Sequence, residues 1–178
     1  MDIDQIIFKK LYRLVKRIRQ PRIDPVVQAR TAALADLKGR LTVLARALTG
    51  RNIEIFTAER EGGWSGKAFF LPEKFSHGSA PATNVDFYVF RVCYLAVQQQ
   101  LGFNWTTEKY QELSLSRQQA RQTAPAVLDR LYQLFPSIRN MVEHLIATET
   151  AFQEHIAPGQ PPDLSLLWGR WMSPHDAP

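Results

Sequence analysis

The sequence predicts a mainly α fold with about five helices and one small β-hairpin. Three observations carry that reading. Apolar residues recur at three- and four-residue steps through most of the 178 residues. Pro and Gly stand at the ends of those runs, where helices start and stop. The period falls to two in one short region only, near residues 52–71.

The first helix is expected over residues 2–20, where Ile3, Ile7, Leu11, Leu14 and Ile18 form one stripe and Pro21 ends it. Asp24-Pro25 opens a second helix, with Asp as cap and Pro at the first helical position. Its apolar face is Val26, Ala29, Ala33, Leu37, Leu41, Leu44 and Leu48, and Gly50 terminates it. Gly39 inside this run marks either close packing or a local weakness. Residues 52–59 then alternate as a strand does, and Ala68-Phe69-Phe70-Leu71 is a short apolar run. The glycine-rich Gly62-Gly63-Trp64-Ser65-Gly66 between them makes a hairpin the economical expectation. Residues 84–101 are apolar around most of a helical circumference, which predicts a central, buried helix. Two helices follow, near 114–134 and 137–156, separated by Pro136. Residues 1–157 thus form a helical domain, and 158–178 a Pro-rich tail or linker, expected to be extended.

A chain that is 45% hydrophobic can bury a substantial core without staples. The single Cys93 forms no internal disulfide, which fits a reducing compartment, and no run approaches the ~20 apolar residues of a spanning helix. The expected location is cytoplasmic. The total charge of +5 is concentrated: Lys9, Lys10, Arg13, Lys16, Arg17, Arg19, Arg22 and Arg30 face Asp24 alone, so the segment 9–30 carries +7 and the remainder about −2.

Each pattern that suggests chemistry fails at a named position. A phosphate loop ending Gly66-Lys67 lacks its earlier glycine, because Glu61 stands there, and Ala68 replaces the hydroxyl that would reach magnesium. Of His77, His144, His155 and His175, only His144 and His155 share a helical face, and roughly 16 Å separates them along the axis. No metal or cofactor set is expected, and surface or capping roles suit these histidines. Cys93 reads as a small core residue. An enzyme is not expected; the nearest approach to a site is Tyr88, Arg91 and Gln98 on the buried helix.

Two surfaces remain. The basic face of Lys9, Lys10, Arg13, Lys16 and Arg17 is either a solvated outer face or a dock for an acidic partner, nucleic acid or an anionic membrane. The aromatics that would stack bases do not interleave with these charges. In the tail, the cluster around Trp168, Arg170 and Trp171 either folds back as core or forms a protein anchor, since Trp, Met and Arg are enriched at interfaces.

Phe70-Leu71-Pro72-Glu73, then Asn84, Tyr88, Arg91 and Tyr94 ahead of an apolar helix, resemble the N-terminal region of the NorD/CbbO proteins. Leu167-Trp168-Gly169 after a Pro-rich spacer is similar to that family's exit from its N-terminal domain. The resemblance covers two short segments. It implies a non-catalytic adaptor that binds a MoxR-type AAA+ ATPase, its client metalloenzyme, or both, in activation of the nitric oxide reductase type. The family's von Willebrand factor A domain with its Asp-x-Ser-x-Ser metal site has no counterpart here, so the resemblance implies an isolated N-terminal domain. Gln98, Gln99 and Gln100 stand where the family's helix often carries histidines, which puts a metal role for that helix in doubt. The competing function is a basic helical nucleic-acid-binding module.

Overall fold

The computed structural model describes residues 24–106 and 111–174. The fold is mainly α with small sheets, and the expected first helix, residues 2–20, lies outside the described residues.

Helix α1 (Pro25–Arg30) begins as expected: the Asp24 carboxylate accepts from Val26 N at 2.9 Å. The second helix expected from Asp24 to Gly50 is, however, broken. Thr31 is extended, and Ala32–Ala33 form strand β1 before α2 (Leu34–Thr49) begins. The reason is competition for one hydrogen bond. In a continuous helix the Arg30 carbonyl would accept from Leu34 N. Here Asn84 Nδ2 donates to that carbonyl at 2.7 Å, and Leu34 N donates instead to Glu73 O at 2.9 Å. Val26, expected on the apolar face, is accordingly 68% exposed. Helix α2 buries Leu34, Leu37, Leu41 and Ala45 and ends at left-handed Gly50. A Cβ at Gly39 would meet nothing within 4 Å, so that glycine is a local weakness and not a packing point.

Strands β2 (Glu54–Ala58), β3 (Gly63–Ser65) and β4 (Ala68–Pro72) form a three-stranded sheet in the order β2-β4-β3. This corrects the expected hairpin. The two apolar runs are neighbours, but they are parallel, with Ile55 opposite Phe69 and Thr57 opposite Leu71. The glycine-rich segment is no simple turn, because it supplies β3, which runs antiparallel to β4 and so returns the chain to a parallel start. A second, two-stranded pairing joins β1 to β5 (Lys74–Phe75).

Helix α3 (Pro81–Gln100) is the expected central helix, with Phe87, Tyr88, Phe90, Val92, Tyr94 and Leu95 all fully buried. Around it pack α2, α4 (Leu113–Leu134), α5 (Arg139–Ile156) and the sheet, whose inner face presents Ile55, Phe69 and Leu71. Pro125 lies inside α4, and a 3-10 turn at Pro136–Ile138 leads into α5. The tail is not simply extended. After an exposed stretch at 158–163 it forms α6 (Ser165–Trp168), and Leu167, Trp168 and Met172 are buried. The sheet's outer face carries a smaller apolar cluster of Phe56, Ala58, Ala68 and Phe70, closed by Met172.

Candidate partner-binding site

The loop after β2 is held from beneath. Glu61 is 1% exposed, and Arg117 of α4 clamps its carboxylate through Nε at 2.6 Å and Nη2 at 3.0 Å. Burial raises the Glu61 pKa, but hydrogen bonds from Arg117 and the backbone, with the Arg117 and Arg60 charges, outweigh it and hold the carboxyl below its ordinary value. The Glu61 carbonyl accepts from Arg91 Nη2 at 3.0 Å. Gly62 follows with φ +62°, and any Cβ there would collide with the Phe70 carbonyl, so the tight passage from loop to β3 requires glycine. The residue that spoils the phosphate-loop pattern is therefore the pivot of this corner.

The C-terminal segment is laid along the same corner. Arg170 N donates to Gly62 O at 2.8 Å, Trp171 N to Ser116 O at 3.2 Å, and Ser65 Oγ to Ser173 O at 3.0 Å. Between this segment and the sheet's outer face lies a cleft of about 390 Å³. Ala58, Phe70 and Met172 form an apolar floor, and Glu59, Arg60 and Arg170 stand on the rim. Arg117 clamps Glu61, and Arg60 Nε lies 3.8 Å from the same carboxylate, so the rim carries the Arg60 and Arg170 guanidiniums beside the Glu59 carboxylate. A second cleft of about 360 Å³ is almost wholly apolar and lies over Cys93 and Val97, beside the 37%-exposed Phe135.

The proposed site residues divide. Lys9, Lys10, Arg13, Lys16 and Arg17 lie outside the described residues. Arg170 is partly exposed on the cleft. Trp171 is partly buried against Trp105 and Phe103, with centroids 5.1 and 6.4 Å away. Trp168 is corrected from anchor to core: it is 8% exposed and packs on Tyr94 and Phe90 at 5.9 and 6.3 Å. Its burial follows from Arg91, whose Nη1 donates to the neighbouring Leu167 carbonyl at 2.8 Å and draws α6 onto α3.

Of the residues Tyr88, Arg91 and Gln98 on the buried helix, the first two bond neighbouring segments. Tyr88 donates from its hydroxyl to Pro72 O at 3.0 Å. Arg91 is completely buried; desolvation pulls its pKa down to about 10, against the opposing effects of Tyr94 and Glu61. Cys93 has its thiol pushed up to about 11 by burial, so it is not an activated nucleophile at neutral pH. Gln98 is fully buried, and neither of its amide atoms has a hydrogen-bond partner among the described residues.

One arrangement escaped the sequence reading. His77 Nδ1 lies 2.6 Å from the fully buried carboxylate of Glu149, and its ring stacks on Phe152 at 3.6 Å. His77 is thus neither a surface nor a capping residue. The pairing spans 72 positions, and no local pattern announces it. Gln153 donates to the other Glu149 oxygen at 2.8 Å, so the pair pins α5 to the approach of α3. Among the described residues no group of three or more His, Cys, Asp or Glu could hold a metal ion, and no helix is long and apolar enough to cross a membrane. Compared with known proteins, the chain matches no family model, no curated protein and no solved structure.

Proposed function

We propose that this chain is a non-catalytic adaptor domain that docks a protein partner in the cleft between β2 and the C-terminal segment. The observation that carries the reading is the cleft's construction: an apolar floor of Ala58, Phe70 and Met172 under a rim of Arg60, Arg170 and Glu59. An apolar centre with a charged rim is the anatomy of a transient protein interface, and the rim charges select the partner and raise the association rate. Its support is local. Glu61, Arg117 and Gly62 fix the loop that bears Arg60, so the surface is rigid before a partner arrives.

The partner we propose is a MoxR-type AAA+ ATPase together with its client metalloenzyme, and this part rests on the resemblance of the segments around Asn84–Tyr94 and Leu167–Gly169 to the NorD/CbbO proteins. The basic residues Lys9, Lys10, Arg13, Lys16 and Arg17 belong to the proposal as a second contact.

The test is a quantitative pull-down of the cognate ATPase by the full chain. Arg60→Glu and Arg170→Glu reverse the rim, and Lys10→Glu with Arg13→Glu reverses the basic segment. Rim reversal is expected to weaken capture at least tenfold while the chain keeps the circular-dichroism spectrum of the folded parent, with some loss of melting temperature because Arg60 lies 3.8 Å from the Glu61 carboxylate. Capture indifferent to both reversals removes the charged docking surfaces from the proposal. Failure of the unaltered chain to capture the ATPase removes the partner itself.

A further inference from the structure

We propose that Leu164–Ser173 is an exchangeable strap, and that the groove it fills also receives the same strap from a second copy of this chain. The groove sets four demands on its occupant. It needs a carbonyl where Arg91 Nη1 points, met by Leu167 O at 2.8 Å. It needs a residue without a side chain next, because a Cβ at Gly169 would stand 2.6 Å from Arg91 Nη2, at a φ of +71°. It needs an N–H for Gly62 O, met by Arg170 at 2.8 Å. Finally it needs an indole against Phe90 and Tyr94, met by Trp168.

Those groove partners all precede the connection to the strap, and so do Asn104, Ser116 and Thr123, which bond Met172 and Trp171, and Phe103 and Trp105, which pack on Trp171. Nothing in the groove therefore distinguishes a strap on its own chain from an identical one on another. The connection from α5 is residues 157–163, of which 158–163 are exposed, with prolines at 158, 161 and 162. The backbone bonds that 157–163 do make stay local: Gln160 N to Ala157 O, and Gly159 N to the Glu154 carboxylate. A stiff, exposed, proline-bearing hinge of this length reaches ~23 Å when extended and is the usual site of domain exchange.

Arg91 explains why the alternative to a seated strap is another strap and not an empty groove. Its guanidinium is wholly buried and hydrogen-bonded to two backbone carbonyls, Leu167 O and Glu61 O. Its Nε has no hydrogen-bond partner among the described residues. Loss of the strap would remove one of two acceptors from a buried charge and uncover Phe90 and Tyr94 together. A segment meeting all four demands restores both, and the strap of a second copy is such a segment.

The first experiment deletes Gly159–Pro162 from the otherwise complete chain, which cuts the reach of the hinge from ~23 Å to ~10 Å and so disfavours return of the strap to its own groove. Light scattering is expected to give about twice the monomer mass, with the amides of Arg170, Trp171 and Met172 as protected from hydrogen exchange as in the parent. A folded monomer, with the strap seated or loose, overturns the proposal. The second experiment does not depend on that variant folding. Isotope-labelled and unlabelled parent chains are mixed at high concentration and weighed by native mass spectrometry, with and without a synthetic peptide of residues 163–174. Mixed dimers that rise with concentration and fall at least tenfold with peptide are expected. Absence of mixed dimers, or mixed dimers indifferent to peptide, overturns it.

Discussion

Trp168→Ala separates the two roles open to this residue from its sequence, and its effect can be worked from the structure. Trp168 keeps 8% of its surface and sits between Phe90, Tyr94 and the buried Leu167. A buried Trp removes ~150–250 Å² from water, which at ~25 cal/mol/Å² corresponds to about 4–6 kcal/mol as an upper bound. Core Trp-to-Ala replacements cost ~3–5 kcal/mol in practice. The lower half of that range is the better expectation, because α6 has four residues and can settle toward α3. For a chain of this size ~3–4 kcal/mol lowers the melting temperature by roughly 6–16 °C. Thermal unfolding followed by circular dichroism, with urea unfolding as the second probe, reads this directly. The urea slope should stay constant, since the change is in packing and not in the compactness of the unfolded chain. A melting temperature within 2 °C of the parent, with partner capture lost, would refute the burial argument and return Trp168 to the surface as an anchor.

Three further outcomes follow from buried polar groups. Glu61 titrates below its ordinary value of 4.5 when folded, so its contribution is present above that value and is lost as pH falls through the lower folded pKa. Glu61→Gln should therefore lower the urea midpoint at pH 7 and narrow the difference from the parent at pH 3; an undiminished difference at pH 3 would contradict the Arg117 clamp. Cys93, with its thiol pushed up to about 11 and only 7% exposed, should react with a maleimide at pH 7 at least a hundredfold more slowly folded than in denaturant. Equal rates would place the thiol at the surface. Gln98→Met replaces a fully buried amide that lacks partners on both atoms by an apolar side chain of similar length, and should raise stability by about 1–3 kcal/mol. A drop in stability would show that the amide is satisfied.

The long helices were legible because their signals are local. Apolar periodicity with Pro136 and Gly50 at the boundaries fixes α4, α5 and the end of α2 within a few residues, and periodicity alone finds the body of α3, which begins three residues earlier than expected, at Pro81. The break after Arg30 was not legible, because it depends on Asn84 and Glu73, which arrive from 54 and 39 positions away. The sheet order failed for a related reason: alternation identifies a strand but does not say which neighbour it pairs with, and a three-residue β3 leaves almost no pattern. At the candidate site, composition drew notice to Arg170 and Trp171. Glu61 and Gly62 drew it only within a glycine-rich turn that fails as a phosphate loop, and Arg60 drew none, since the guanidinium that gives Glu61 its meaning lies 56 positions later.

Helix α3 shows what the buried polar residues have in common. Asn84 donates to Arg30 O and Gly78 O, Tyr88 to Pro72 O, Arg91 to Glu61 O and Leu167 O, and Gln99 to Gly66 O. Each acceptor is a backbone carbonyl on a different segment packed around the helix. Regular elements satisfy their own carbonyls, whereas turns and segment ends present carbonyls that must find donors when buried. A central helix bearing side-chain donors at several heights can satisfy them all and so fix where each segment lies. Apolar packing alone would tolerate shifts in those segments; a buried carbonyl that must meet one particular donor does not. Asn84, Tyr88 and Arg91 are three of these donors. Their spacing therefore serves to arrange loops around a helix, which is an architectural duty. Under the proposed adaptor reading, partner choice is written in residues outside that set, and Arg60 on the rim of the cleft, with its side chain 66% exposed, is where substitution should first separate binding from folding.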